Sequence, residues 1–131
     1  MEIPAAFHDL LSSTAVAFVS TLGKHGEPQT TPLWFLWDGD AVRISLVEGR
    51  QKLRNLRRDP RITLVVVDPA RPTYYIELRG TIGDLTPDPD CSLERAIATK
   101  YTGSWEDIEP PGTPRYATTI EPLKLTSQLG V

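Results

Sequence analysis

Asp38-Gly39 separates two runs that both read as strands, and this hairpin constrains the fold more than any other feature of the chain. Asp-Gly suits the positive φ angles of a two-residue turn, so the flanking strands must fold back antiparallel. PQTTPLWFLW (28–37) is the strand before it. AVRISLV (41–47) follows, setting Val42, Ile44 and Leu46 against Arg43 and Ser45 with the period of two expected of a strand with one buried face. TAVAFVST (14–21) is another strand, ending in the Gly-bounded turn LGKHGE. RITLVVVD (61–68) reads as a strand buried on both faces, with Ile62, Leu64, Val65 and Val66 in the core. TYYIELRGTIGDL (73–85) alternates again, with Gly80 where a strand bends or bulges. RYATTIEPLKLTS supplies a last strand, interrupted at Pro122. Helical spacing of apolar residues predicts helices over 4–12, 49–58 and 90–101, and 104–114 reads as a loop. Six or so mostly antiparallel strands with a few short helices between them predict an α+β fold, a closed or nearly closed β-barrel.

At 131 residues the chain reads as one domain over 1–131, large enough to bury about two-thirds of its unfolded surface. With 40% hydrophobic and 24% charged residues it is globular in composition rather than disordered. Cys91 is the lone cysteine, so nothing points to an oxidising compartment. The N-terminal stretch lacks a basic leader, and no run of about 18 apolar residues predicts a membrane span. A cytoplasmic location is the expectation. His8 and His25 lie far apart and far from Cys91, without zinc-ligand spacing. Nucleophile-elbow, G-x-G-x-x-G and Walker motifs do not occur. If the chain is an enzyme, a bound cofactor carries the chemistry.

One charge feature stands out. Six of the fourteen basic residues fall within residues 50–61, where Asp59 is the sole acid, although the whole chain carries a formal charge of −3. A solvated helix face, a nucleic-acid patch and a pocket for an anionic small molecule are the alternatives. At about 100° per residue, Arg50, Arg54, Arg57 and Arg61 would share a stripe roughly 60° wide. Lys52 would sit near the helix start, beside unpaired backbone N–H groups that favour a phosphate. Duplex binding asks for a broad basic face, whereas the other eight basic residues are scattered, so no nucleic-acid partner is expected.

TTPLWFLW is the second oddity. Pro32 removes a ladder donor inside a strand, which implies an edge or a bulge. Thr30 and Thr31 add hydroxyls there, and Trp34 and Trp37 add broad apolar surface. At least one of these tryptophans is expected in the core or a dimer contact. A planar heterocycle on this strand, with its phosphate at the helix start, accounts for both oddities.

STLGKHGEPQTTPLWFLWDGD and ISLVEGRQKLRNLRRDPRITLVVVD resemble the flavin and deazaflavin oxidoreductases related to pyridoxamine 5′-phosphate oxidase, the FMN-binding split β-barrel type. The R-x-K-x-R-N-L-x-x-D-P-R block is the most specific part, and the likeness lies nearest the single-domain branch that uses the deazaflavin coenzyme F420. The resemblance implies a homodimer with the cofactor in a cleft shared between protomers. It places Arg50, Lys52 and Arg54 on the coenzyme's anionic tail. Gln29, Thr30, Thr31 and Pro32 would line the ring, with Ser45 and Leu46 beside it, and Tyr74 and Tyr75 would approach from the partner subunit. The implied activity is hydride transfer between the deazaflavin and a conjugated, electron-poor small molecule, in a direction the sequence does not specify. No protein nucleophile is implied, so no catalytic side chain is assigned.

FMN on the same fold is the alternative cofactor. Pyridoxamine-type oxidases carry an Arg…Lys pair on the strand matching 30–37, where this chain has no basic residue, and their substrate-binding arginine has no counterpart in KLTSQLGV. A non-enzymatic carrier of either coenzyme is the remaining alternative.

Overall fold

The Asp38-Gly39 turn forms, with Gly39 at φ 93° and the Asp38 N–H donating to the Ala41 carbonyl at 3.2 Å. Asp38 Oδ1 accepts the N–H groups of Asp40 (2.9 Å) and Ala41 (2.8 Å). These backbone donors, Ala41 foremost, hold its carboxyl below the usual range. The computed structural model describes residues 1–105 and 112–127, so part of the expected 104–114 loop lies outside it. A 3-10 turn at Ala5–Phe7 leads into α1 (His8–Ser12), β1 (Ala17–Leu22), β2 (Pro28–Leu33) and β3 (Leu36–Trp37). Next come β4 (Val42–Val47), α2 (Gln51–Arg58), β5 (Arg61–Val67) and β6 (Tyr75–Ile82). The chain continues through β7 (Thr86–Pro87) and α3 (Ser92–Thr102) to β8 (Arg115–Ser127).

All pairings are antiparallel, in the order β2-β1-β5-β6-β8-β4-β3, with β7 joined to β8. β2 and β3 are the two ends and do not pair with each other, so the sheet curves into a split barrel. β8 holds it together. Its first half pairs with β4, Val42 opposite Ile120, and its second half with β6, Ile76 opposite Ser127.

Three strand expectations need correction. The run 28–37 is two strands, because Trp34 and Phe35 leave the ladder and Phe35 turns fully into the core. Pro32, expected at an edge or a bulge, lies on the edge strand in regular register with Phe18, which accommodates the missing N–H. β8 is not interrupted at Pro122. Instead the register shifts between Arg79 and Gly80, and Leu123 loops out at 74% exposure. Gly80 makes this possible, since a Cβ there would collide with the Glu121 carbonyl oxygen. β5 is buried on one face only: Ile62, Leu64 and Val66 are core, but Val65 is half-buried on the outer face. With the two-residue strands β3 and β7 counted, the described residues form eight strands, where six or so were expected.

The inner face carries the core, where Leu64, Val66, Ile76, Leu78 and Ile44 are fully buried. Phe7 and Leu11 of the N-terminal helical segment and Leu53 and Leu56 of α2 pack into the same cluster. The two leucines, with Asn55, form the buried side of α2, as their three-residue spacing predicts. α3 starts after Asp88, whose carboxylate accepts the Ser92 and Leu93 N–H groups at 3.0 Å each.

Candidate functional site

A cleft of about 720 Å³ opens between β2, β4 and the start of α2. Gln29, Thr31, Pro32 and Leu33 form one wall, and Ser45, Leu46 and Val47 form another. Gly49, at φ 90°, turns the chain from β4 into α2, which brings Arg50, Gln51, Lys52 and Leu53 to the basic rim. Val16, Trp34, Glu94, Ile97 and Arg115 complete the lining.

Seven of the eleven expected site residues thus meet in one place: Gln29, Thr31, Pro32, Ser45, Leu46, Arg50 and Lys52. Thr30 points to the opposite face of β2, where its hydroxyl meets Ser20 Oγ at 2.7 Å. Arg54 lies outside the lining, donating to the Gly49 carbonyl (2.7 Å) and to Gln51 Oε1 (2.8 Å). Tyr74 packs near Phe7 and donates its hydroxyl to the Ala6 carbonyl at 2.9 Å. Tyr75 opens β6 opposite Val67, also away from this cleft.

The basic stripe is more compensated than sequence proximity suggests. Arg57 pairs with Glu48 at 2.8 Å and lies over the Tyr116 ring. Arg61 is not on the helix at all; it starts β5 and pairs with Asp59 at 2.7 Å. Lys52 differs from both. It has no carboxylate partner among the described residues, and burial, then the neighbouring Arg50 charge, push its amine below the usual lysine range. An anion placed beside it would oppose both effects by favouring the charged amine.

Sequence reasoning missed the rear of the cleft. Arg115 on β8 is 5% exposed and donates to Glu94 Oε2 on α3 at 3.1 Å and to Ser45 Oγ at 3.4 Å. The three residues lie on three elements, so no local pattern announces them. Trp34 stacks on Tyr101 with ring centroids 4.8 Å apart and planes 4° from parallel. Trp37 packs against the core instead, beside the His8 ring at 5.0 Å. α3 is fixed here by Lys100, whose Nζ donates to the carbonyls of Leu11 (3.1 Å) and Phe35 (3.0 Å).

Thr31 Oγ1 is buried in the cleft wall without a hydrogen-bond partner among the described residues. A polar atom left so is a place where a ligand's polar group would be welcome.

Comparison with known proteins bears on the family. A solved F420 reductase is 28% identical, with 95% of this chain and 98% of that one covered and a TM-score of 0.86. A conserved hypothetical protein from Mycobacterium tuberculosis is 21% identical over 94% of this chain and 82% of its own, with a TM-score of 0.75. A heme binding protein from Mycobacterium smegmatis shares the fold at 20% identity and a TM-score of 0.62, over 94% of this chain and 53% of its own. The pattern of the pyridoxamine 5'-phosphate oxidase family matches residues 3–128, and with the split barrel and its cleft this makes the chain a member of that family.

Proposed function

We propose that the chain is an oxidoreductase that uses coenzyme F420, exchanging a hydride between the deazaflavin and a conjugated, electron-poor small molecule. Lys52 carries the reading: it is a desolvated cation beside Arg50 at the rim of a cleft big enough for a flat ring system, and itself has no carboxylate partner among the described residues. The likeness to an F420 reductase supports the same choice. Bound there, the coenzyme would supply the hydride chemistry. Arg50 and Lys52 would hold its anionic tail, Gln29, Thr31, Pro32, Ser45 and Leu46 would position the ring, and Trp34 would shield the cleft mouth. The role of the protein is then to orient the reactants and exclude water, which needs no protein nucleophile. A two-fold homodimer would complete the cleft, with Tyr75 a candidate contribution from the second copy.

Fluorescence titration with the deazaflavin coenzyme and with FMN tests this. Losing one charged hydrogen bond should cost about 1.5–3 kcal/mol, or about 10- to 150-fold in affinity. Lys52→Ala is expected to weaken deazaflavin binding by that factor while the fold persists. Equal affinities of wild type and variant would overturn the assignment of Lys52, and tighter binding of FMN by wild type would replace the cofactor.

A further inference from the structure

Four side chains form a hydrogen-bonded line from the surface of α2 to the cleft. Arg54 Nη2 donates to Gln51 Oε1 at 2.8 Å. Gln51 Nε2 donates to Asn55 Oδ1 at 2.7 Å. Asn55 Nδ2 donates to Gln29 Oε1 at 3.3 Å and to Thr21 Oγ1 at 3.0 Å. Asn55 and Thr21 are each 1% exposed, so this part of the line is shut off from water. Gln29 lines the cleft.

A primary amide can usually be turned over, exchanging its oxygen and nitrogen at little cost. Here it cannot. Guanidinium only donates, so the atom of Gln51 facing Arg54 must be oxygen. Its nitrogen then faces Asn55, which must present oxygen there, and the Asn55 nitrogen in turn requires oxygen from Gln29. Each amide is fixed by the one before it. The consequence falls on Gln29: its oxygen is committed inside the wall, and its Nε2 is the atom left for the cleft.

We infer that the Arg54–Gln51–Asn55 line fixes Gln29 as a hydrogen-bond donor, making the cleft selective for a conjugated molecule with an acceptor at that point, a carbonyl oxygen or an unprotonated ring nitrogen. Arg54 is a positioning residue that acts without touching the ligand. The inference deepens the proposed function and rests on it for the flat ligand. The acceptor atom belongs either to the cofactor's ring or to the substrate's carbonyl, two sources of one chemistry.

Two uncharged probes separate them: lumiflavin, a tricyclic ring without a phosphate tail, and menadione, a quinone. Each is titrated by tryptophan-fluorescence quenching against wild type, Gln29→Met, Arg54→Glu and Arg54→Lys. Glutamate at 54 accepts rather than donates, which reverses every amide in the line and turns the Gln29 oxygen to the cleft. Lysine still only donates. Since neither probe is anionic, a change in the charge of residue 54 does not itself alter their binding through a tail contact.

The expected result is a loss of about tenfold or more in Gln29→Met and Arg54→Glu, with Arg54→Lys close to wild type. Loss confined to lumiflavin assigns the bond to the cofactor ring, and loss confined to menadione assigns it to the substrate. Unchanged affinity for both probes in Gln29→Met overturns the inference, as does Arg54→Glu binding like wild type. Coenzyme binding that needs Lys52 while the probes ignore Gln29 and Arg54 would sink the line and leave the proposed function standing. Probes that respond in a protein indifferent to the coenzyme tail would do the reverse.

Discussion

Glu94 and Arg115 form the one buried ion pair among the described residues, with side chains 11% and 4% exposed. Removing one partner strands the other charge at the nearly closed rear of the cleft. Glu94→Ala is expected to lose about 3–5 kcal/mol of stability in a denaturant titration. Replacing both, Glu94→Leu with Arg115→Met, should recover most of that, because no unpaired charge remains. A double variant as unstable as the single one would mean that the pair itself, rather than the stranded arginine, holds α3 to β8. Such a pair shows how far side-chain roles were legible. Arg50 and Lys52 were visible as charge because six basic residues crowd one segment. The compensation of Arg57 by Glu48 was not, since Glu48 lies nine positions earlier and meets it only through the Gly49 turn.

At the scale of elements, the pattern of β5 makes a sharp comparison. Val66 is fully buried and Val65, one position earlier, is only half-buried on the other face. Val66→Asp should cost several kcal/mol through an unpaired buried carboxylate. Val65→Asp should cost the isolated fold far less, and similar losses for both would mean that the outer face is covered. The continuous run RITLVVVD concealed this, because β-branched residues on both faces blur the period of two. Strand ends were legible only where Gly, Asp or Pro punctuated them. The split between β2 and β3 depends on Phe35 finding a tertiary pocket, which no local signal records.

α3 has its own pH signature. Burial lowers the Lys100 amine from 10.5 to about 8. Between those values the unfolded chain binds more protons than the folded one, so stability should rise with pH from ~8 to ~10.5. The neutral amine retains two N–H groups, enough for the Leu11 and Phe35 carbonyls. Tyr101 acts oppositely and later: burial raises its phenol from 10.0 to about 12, so stability should fall from ~10 to ~12. Thermal melts of wild type and Lys100→Met between pH 7.5 and 9.5 check the first claim. The wild-type Tm should climb more steeply than that of the variant, which keeps the lowered Lys52 amine; parallel curves would refute the assignment.

For the whole molecule, an apolar row crosses the outer face of the sheet. Pro32, Phe18 and Val65 stand side by side on β2, β1 and β5, and Phe18 is 46% exposed. Pro32 also lines the cleft, so a second copy seated on this row would reach the candidate site. The expected assembly is a two-fold dimer burying more than about 1,000 Å² in total. Sedimentation equilibrium should give twice the chain mass, and Phe18→Lys should give the monomer with weaker coenzyme binding. A wild-type monomer at micromolar concentration would remove the shared cleft.

β8 also sets a timetable. The sheet is continuous only because Arg115–Ser127 pairs with both β4 and β6. During synthesis those strands emerge long before their common partner, each with an open edge. The chain therefore has to hold its early hairpin and the β1-β5-β6 ladder in waiting, with closure deferred to a contact of long sequence separation. Lys52, on the helix between β4 and β5, meets the β8 side of its cleft only after that last strand has docked. The ability to bind a ligand there should arrive late and all at once.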